Sequence, residues 1–333
     1  MRFTRYRLSP RLRRAVRRAK NAAVTGGASA SLWLVGRFSL QQALRLADAI
    51  GVLAYRLLRK SRRLALEHLR IAFGDDLTPT AREHLARASF INITRCFFEL
   101  AKIDEIRARR DTYFELKGWE HAETILAEGK GAVVVTGHIG NWELLAAYFA
   151  WRGLPVAAIA RRIYARRLNQ ILVDFRSRQG VQTILRESPS SARQIIKALK
   201  SNALLAMLID QDTHAPSVSV PFFGRLARTP AAAASLVIRR EIPPLAVFIQ
   251  RRPGGGHRIT VQPPFVVERS GDVAADIRAL TRQFNAALEK QIRENPAEWV
   301  WWHRRWRRAP VAHLDLDLEF PYTVQDTVLR GRG

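Results

Sequence analysis

From about residue 115 onward the chain alternates short, uncharged apolar runs with stretches of helical character. This alternation restricts the fold more than any other feature. The runs are Ala132-Val133-Val134-Val135, Pro155-Val156-Ala157-Ala158-Ile159, Leu204-Leu205-Ala206-Met207-Leu208-Ile209 and Leu245-Ala246-Val247-Phe248-Ile249. None shows the alternating polar pattern of a strand with one wet face, so each reads as a strand covered on both sides. Helical stretches at 142–151, 190–200 and 230–240 separate them. Strands and helices in that order predict an α/β fold, with a mixed, mostly parallel sheet flanked by helices. Residues 257–267 read as one more strand and 272–294 as a long helix. The stretch 311–333 carries little core pattern and reads as a peripheral tail. No internal repeat is present.

The N-terminal third is different. Residues 61–110 read as helical, and Thr78-Pro79 supplies an N-cap and an N1 proline for a run through Phe97. In residues 38–60, Leu46, Ile50, Leu53 and Leu57 recur at helical spacing, with Gln41, Arg45, Asp48, Arg56 and Arg59 on the other side. That is an amphipathic helix. It either faces the core or lies on an anionic membrane, and both readings are open. Residues 1–20 contain many bases and no acid, while 21–36 are uncharged but too short and polar to read as a spanning helix. The expected organisation is a basic, amphipathic membrane-docking segment at 1–60, a catalytic domain at 61–310 and the tail at 311–333.

Charge narrows the partners. The 333 residues carry 55 Lys and Arg against 29 Asp and Glu, a net charge of +26. An excess of this size calls for an anionic partner: nucleic acid, an anionic membrane or an anionic substrate. Of the 55 bases 47 are arginine, whose planar fork matches phosphate with two parallel hydrogen bonds; a GC-rich genome would give the same bias. No C2H2 pattern and no aromatic RNA-binding signature accompanies the charge, so nucleic acid is the poorer explanation. The single cysteine, Cys96, excludes an intramolecular disulfide framework and a thiol-rich metal site.

The chemistry concentrates in Gly131-Ala132-Val133-Val134-Val135-Thr136-Gly137-His138-Ile139-Gly140-Asn141-Trp142-Glu143. A strand ends at Thr136, a glycine-flanked histidine follows, and a helix starts near Asn141. The carboxyl ends of strands in open α/β sheets are where ligands bind. Glu143 in the first helical turn is expected to reach back to His138. A histidine paired with a carboxylate is a base able to take a hydroxyl proton. The plainer alternative makes His138 a helix cap and Glu143 a solvated acid. There is no G-x-S-x-G elbow and no H-E-x-x-H zinc spacing, so neither a serine nucleophile nor a metal is expected.

GHIGNWELL resembles the His-x4-Asp/Glu block of glycerolipid-type acyltransferases, and above all of the late acyltransferases of lipid A biosynthesis. Arg161, ahead of Leu168, Asn169 and Arg178-Gln179-Gly180, resembles that family's second block. Leu208-Ile209-Asp210-Gln211-Asp212, Val220-Pro221-Phe222-Phe223-Gly224 and Thr229-Pro230 resemble its third. Pro296-Ala297-Glu298-Trp299-Val300-Trp301-Trp302-His303-Arg304-Arg305-Trp306 resembles its C-terminal block. The four blocks span roughly residues 40–310. The chain departs from the pattern at Arg161-Arg162-Ile163, where Arg-Pro is common, and at Glu67-His68-Leu69, where Asn-Leu is usual.

The resemblance implies transfer of a fatty acyl chain from a thioester, carried by acyl carrier protein or CoA, to a hydroxyl of a phosphorylated glycolipid. Other acceptors it leaves open are a phosphatidylinositol mannoside or an acyl-ornithine-type lipid. It makes His138 the general base and Glu143 its orienting partner, with no covalent intermediate, no metal and no cofactor. Loop amides near Gly140-Asn141 become oxyanion donors. Arg161 becomes a phosphate ligand, and Asp210 a positioner of Arg161 or of the acceptor, or else a turn cap. Thr229-Pro230 reads as the N-cap and N1 pair of the next helix. The tryptophans of the last block either anchor at a membrane interface or pack the end of the domain while the arginines face water. The implied location is the cytoplasmic face of the inner membrane, peripheral or through one N-terminal anchor.

Overall fold

The computed structural model describes residues 35–163 and 165–308. The basic stretch 1–20, most of the uncharged stretch after it and the tail 311–333 lie outside the described residues.

Helices α1 (Leu40–Leu57), α2 (Arg59–Phe73), α3 (Pro79–Ala101), α4 (Ile103–Ala108) and α5 (Arg110–Tyr113) lead into an alternating region. This comprises β1 (Phe114–Lys117), α6 (Trp119–Leu126), β2 (Ala132–Thr136), α7 (Trp142–Trp151), β3 (Val156–Ala160), α8 (Arg166–Arg178), β4 (Val181–Leu185), α9 (Ser191–Lys200) and β5 (Leu204–Leu208). A hairpin of β6 (Ser217–Phe222) and β7 (Arg225–Pro230) follows, then α10 (Ala232–Arg240), β8 (Pro244–Arg251), β9 (His257–Val261) and α11 (Val273–Glu294).

Seven strands form one sheet in the order β1-β9-β8-β2-β5-β3-β4. Every neighbouring pair is parallel except β8–β9, which gives the mixed, mostly parallel sheet expected. Val133 and Val135 of β2 face a core completed by α2, α3, α9, α10 and α11, whereas Ala132 and Val134 face a second core built on α6 and α7. Burial on both faces is why this strand needs apolar residues at successive positions. All five residues of β2 are buried.

The caps follow the sequence in two places. Thr78 Oγ1 accepts from the Ala81 N–H with Pro79 at the first helical position, and Asp272 caps α11 through the amides of Ala274 and Ala275. Elsewhere the sequence misled. Thr229 and Pro230 end β7 instead of opening a helix. Helix α10 starts at Ala232 behind Ala231, without a side-chain cap. The Thr229 hydroxyl is buried in bonds to Asn285 and Arg305, so it is not free to cap. The strand expected over 257–267 stops at Val261. β1, β4 and the β6–β7 hairpin carried no clear apolar run; Phe223 and Gly224, with φ of +51° and +68°, form the turn of that hairpin.

Candidate active site

β2 and β5 lie side by side with Thr136 opposite Leu208. Two residues beyond each strand end, the same register brings His138 beside Asp210. The Asp210 carboxylate is fully buried. Its Oδ1 lies 2.8 Å from His138 Nδ1, and its Oδ2 accepts from the His138 backbone N–H and from Trp299 Nε1, each at 2.8 Å. His303 Nε2 lies 2.8 Å from the Asp210 carbonyl oxygen. Burial alone would raise the Asp210 pKa. The imidazole of His138, through charge and hydrogen bond, outweighs it with help from His303 and Trp299, and holds the carboxyl well below the usual carboxylate range. An ionised Asp210 only accepts, so Nδ1 is the donor across this contact, and in the neutral ring Nε2 is the accepting nitrogen. The His138 side chain is 22% exposed. Trp142 stands edge-on to its ring at 4.8 Å, and the Gln211 amide nitrogen lies 3.2 Å from Nε2.

Glu143 is hydrogen-bonded to Arg176 and not to His138. Its carboxylate takes Nε and Nη2 of Arg176 at 2.8 and 2.5 Å, and both side chains are nearly buried. Arg176 projects from α8 across the face of α7, and its planar fork fits a carboxylate with two bonds. The histidine, in the loop before α7, meets Asp210 first because strand order places it there.

The loop between β2 and α7 is held from behind. Gly140 has φ +57°, and a Cβ there would sit 2.1 Å from the Ile249 carbonyl oxygen, so no other residue fits. Its N–H donates to the Glu298 carbonyl at 3.1 Å. That corrects the expectation of an oxyanion donor at Gly140, because the amide is already spent on holding the loop. Asn141 caps α7 by accepting from the Leu144 N–H, and its Nδ2 donates to Glu99 Oε2 at 2.8 Å. Ile139 bridges to Trp299.

Glu99 is the centre of a buried network. It pairs with Arg251 through two bonds at 2.5 and 3.0 Å, and it accepts from Tyr113 and Asn141 while lying 2.9 Å from His257 Nε2. Burial would raise its pKa; Arg251 and His257 outweigh that and hold it well below the carboxylate range. Glu298 accepts from the Arg251 N–H and from Asn295, yet burial pushes its pKa up to about 7. Burial likewise pushes the Cys96 thiol up to about 12, which rules it out as a nucleophile.

A narrow apolar cleft, open to solvent, runs down the α7 side of the sheet. Thr136, Trp142, Glu143 and Arg176 lie at its upper end, and Leu204, Val156 and Phe149 at its lower end, with Ala146, Ala158 and Ala206 among its walls. Strand rise makes the distance from Leu208 to Leu204 about 13 Å.

The structure thus gathers His138, Asp210, Gly140 and Asn141 at the ends of β2 and β5, with Glu143 at the adjoining cleft. Arg161 is not among them. It lies exposed after β3, two strands from β2, and makes no hydrogen bond or ion pair among the described residues. Trp299 and Trp301 are buried, and Arg305 lies under the Phe222 ring without exposure. The last block therefore packs and orients the site, and Arg305 does not face water. Sequence reasoning missed Arg176, Glu99 and Arg251, whose partners lie 33 to 152 residues away.

Residues 18–308 match the family model for bacterial lipid A biosynthesis acyltransferases. The phosphatidylinositol mannoside acyltransferase of Mycobacterium tuberculosis (strain ATCC 25618 / H37Rv) is 26% identical over 217 residues, covering 63% of this chain and 65% of that protein. The chain therefore spans just under two thirds of that relative. The lipid A biosynthesis lauroyltransferase of Escherichia coli (strain K12) is 25% identical over 84% of this chain and 90% of its own length. The palmitoleoyltransferase of the same organism is 22% identical over 86% and 91%. With the matched region running through every block that builds the His138 site, the chain belongs to the bacterial lipid A biosynthesis acyltransferase family.

Proposed function

We propose that this protein transfers a fatty acyl chain from a thioester to a hydroxyl of a phosphorylated glycolipid precursor of lipid A. The observation that carries the proposal is the His138–Asp210 pair at the edge of the sheet, beside an apolar cleft. His138 Nε2 takes the proton of the acceptor hydroxyl while Asp210 holds the proton on Nδ1 and offsets the charge of the imidazolium. The alkoxide attacks the thioester carbonyl, the C–S bond breaks, and the imidazolium returns the proton to the departing thiolate. No acyl-enzyme is needed. The acyl chain lies in the cleft, where each buried methylene contributes about 0.8 kcal/mol. Glu143, paired with Arg176, borders the mouth of that cleft.

Acyl carrier protein is the proposed donor, with acyl-CoA as the other source of the same thioester; a strongly basic surface favours an acidic carrier. The proposed location is the cytoplasmic face of the inner membrane, where donor and lipid meet. No helix of the described residues is long and apolar enough to cross a membrane. A phosphatidylinositol mannoside is the second candidate acceptor, suggested by the mycobacterial relatives.

The test is acyl transfer from labelled carrier to both lipids, with His138→Ala as the comparison. Transfer by the wild type, reduced by about 10² to 10⁴ in the variant, is the expected result for loss of a general base. Wild-type-like activity of His138→Ala would overturn the mechanism. Product on the mannoside alone would exchange the acceptor.

A further inference from the structure

Helix α1 is turned the wrong way for a helix of a soluble protein. Its buried positions are Leu40, Ala43, Ala47 and Gly51, three of them small. They lie against α3 so closely that a Cβ on Gly51 would fall 2.6 Å from the Ile91 Cα and from the Thr94 hydroxyl. The paired bonds from Arg95 to Asp48, at 2.5 and 2.6 Å, fix the rotation of one helix on the other. A capping box between Ser39 and Gln42 fixes its start.

The large apolar side chains point elsewhere. Leu46, Ile50, Leu53 and Leu57 form a stripe about 95° around the helix from the buried one, at about 100° per residue. Ile50 is 39% exposed, Leu53 53% and Leu57 67%, and Leu58 beyond them 53%. Four of the ten exposed large apolar residues among those described therefore fall within nine positions. A soluble chain would bury these leucines and expose the alanines.

Charge identifies the occupant. Arg45, Arg56, Arg59, Lys60 and Arg63 are exposed on and just after the helix. Asp48, the only acid between residues 38 and 66, is consumed by Arg95. A second copy of the chain would bring the same positive charge against this surface. An anionic bilayer takes both components, the leucines at the level of the acyl chains and the arginines among the phosphates.

We infer that the Ile50–Leu53–Leu57–Leu58 ridge of α1, with its flanking arginines, inserts into the surface of an anionic lipid bilayer. The inference rests on the membrane location proposed above and assigns it a contact surface.

The test is flotation of the full chain with phosphatidylcholine vesicles, with and without phosphatidylglycerol. Wild type is compared with Leu53→Ser/Leu57→Ser, with Arg56→Gln/Arg59→Gln/Lys60→Gln, and with Leu226→Ser, an exposed leucine of the β6–β7 hairpin. The wild type should float with the anionic vesicles. The double leucine variant should bind about thirtyfold more weakly, by the loss of two half-exposed leucines. The charge variant should lose its preference for phosphatidylglycerol, and Leu226→Ser should bind as wild type does.

If the wild type ignores anionic vesicles, the membrane location falls and this surface with it. If the wild type binds and the leucine variant binds equally well, the location stands and the ridge is overturned. Equal loss in Leu226→Ser also overturns the ridge. So does a lipid-free dimer, seen by sedimentation, that the leucine variant abolishes. Should the double variant fail to fold, a Leu57→Cys chain labelled with an environment-sensitive dye replaces it, since Cys96 is buried. A blue shift on anionic vesicles supports insertion and an unshifted spectrum refutes it.

Discussion

Replacing Asp210 with Asn tests the site most severely, because it keeps the shape and removes one capacity. Asp210 presents Oδ1 to the His138 ring and Oδ2 to two donors, the His138 backbone N–H and Trp299 Nε1, each at 2.8 Å. Asparagine has one oxygen and one NH₂. With the oxygen toward the two donors both are satisfied, but the NH₂ then faces Nδ1. That nitrogen must accept, the ring proton moves to Nε2, and the base is lost. With the oxygen toward Nδ1 the tautomer survives, but the NH₂ is forced against two N–H groups in a fully buried position. Each buried donor left unpaired costs about 1–3 kcal/mol, so the first arrangement is favoured by about 2–6 kcal/mol and the wrong tautomer dominates. The carboxylate charge that opposes the imidazolium also disappears. We expect kcat to fall about 10³- to 10⁴-fold, the scale of the same change in serine-hydrolase triads, with KM nearly unchanged. Single-turnover transfer from a labelled acyl thioester to a dispersed lipid acceptor measures the loss, and thermal unfolding checks that the variant is folded. A folded Asp210→Asn enzyme within tenfold of wild type would refute the orienting role of Asp210.

Three other outcomes follow from the structure. Ala158→Leu adds about three methylene volumes to a wall of the cleft, so preference should shift to shorter acyl donors while short-chain activity persists; competition between donors of different length, read by mass spectrometry, checks it, and an unshifted profile places the acyl chain elsewhere. Gly140→Ala meets the Ile249 carbonyl at 2.1 Å with φ at +57° and should cost more than about 3 kcal/mol in chemical unfolding, against less than 1 if the loop can move aside. Glu298 has its pKa raised to about 7 by burial, so the folded chain holds that proton more tightly than the unfolded chain. Its contribution is fully present below about pH 4 and is lost as pH rises through 7, a total of about 3 kcal/mol. Relative to Glu298→Gln, which mimics the protonated acid and does not titrate, the wild type should lose about 2.5 kcal/mol of stability from pH 5 to pH 9, and a pH-independent difference contradicts the assignment.

The fold was legible wherever one strand or helix carries its own signal. The runs at β2, β3, β5 and β8 are apolar at successive positions because both sheet faces are covered, and α11 announces itself through Asp272. β4 was not legible, because Gln182 and Thr183 interrupt its apolar residues in a strand paired on one side only. The site was legible in part. His138 and Asp210 both stood out as polar residues at strand ends, yet their partnership depends on β2 and β5 being neighbours, and β3 and β4 intervene between them in the chain. The His-x4-Glu spacing suggested a contact within one segment. In the folded chain the two members of that motif part, His138 to Asp210 and Glu143 to Arg176. The orientation of α1 was equally hidden. A helical stripe of leucines looks the same whether it faces a core or a bilayer, and what decides is the second stripe of Ala43, Ala47 and Gly51, whose smallness lets α3 come close.

The arginine excess takes on a different meaning once the acids are located. Asp48, Glu99, Glu143 and Asp212 are each held by an arginine fork, from Arg95, Arg251, Arg176 and Arg308. Two parallel bonds from a rigid plane fix the carboxylate, where a lysine would offer a single point of contact. This use explains arginine in place of lysine at those positions without any appeal to phosphate. Each such pair removes one acid and one base, so the excess of bases is unchanged and rests with the arginines and lysines outside these pairs. Among the described residues much of the positive charge is carried outward, in part at Arg45, Arg56 and Arg59 of and just after α1 and at Arg161, Arg162, Arg166 and Arg167, all of them exposed. That distribution suits the anionic bilayer and acidic carrier proposed above, while two of the arginine-held acids, Glu99 and Glu143, brace the loop and helix that follow β2.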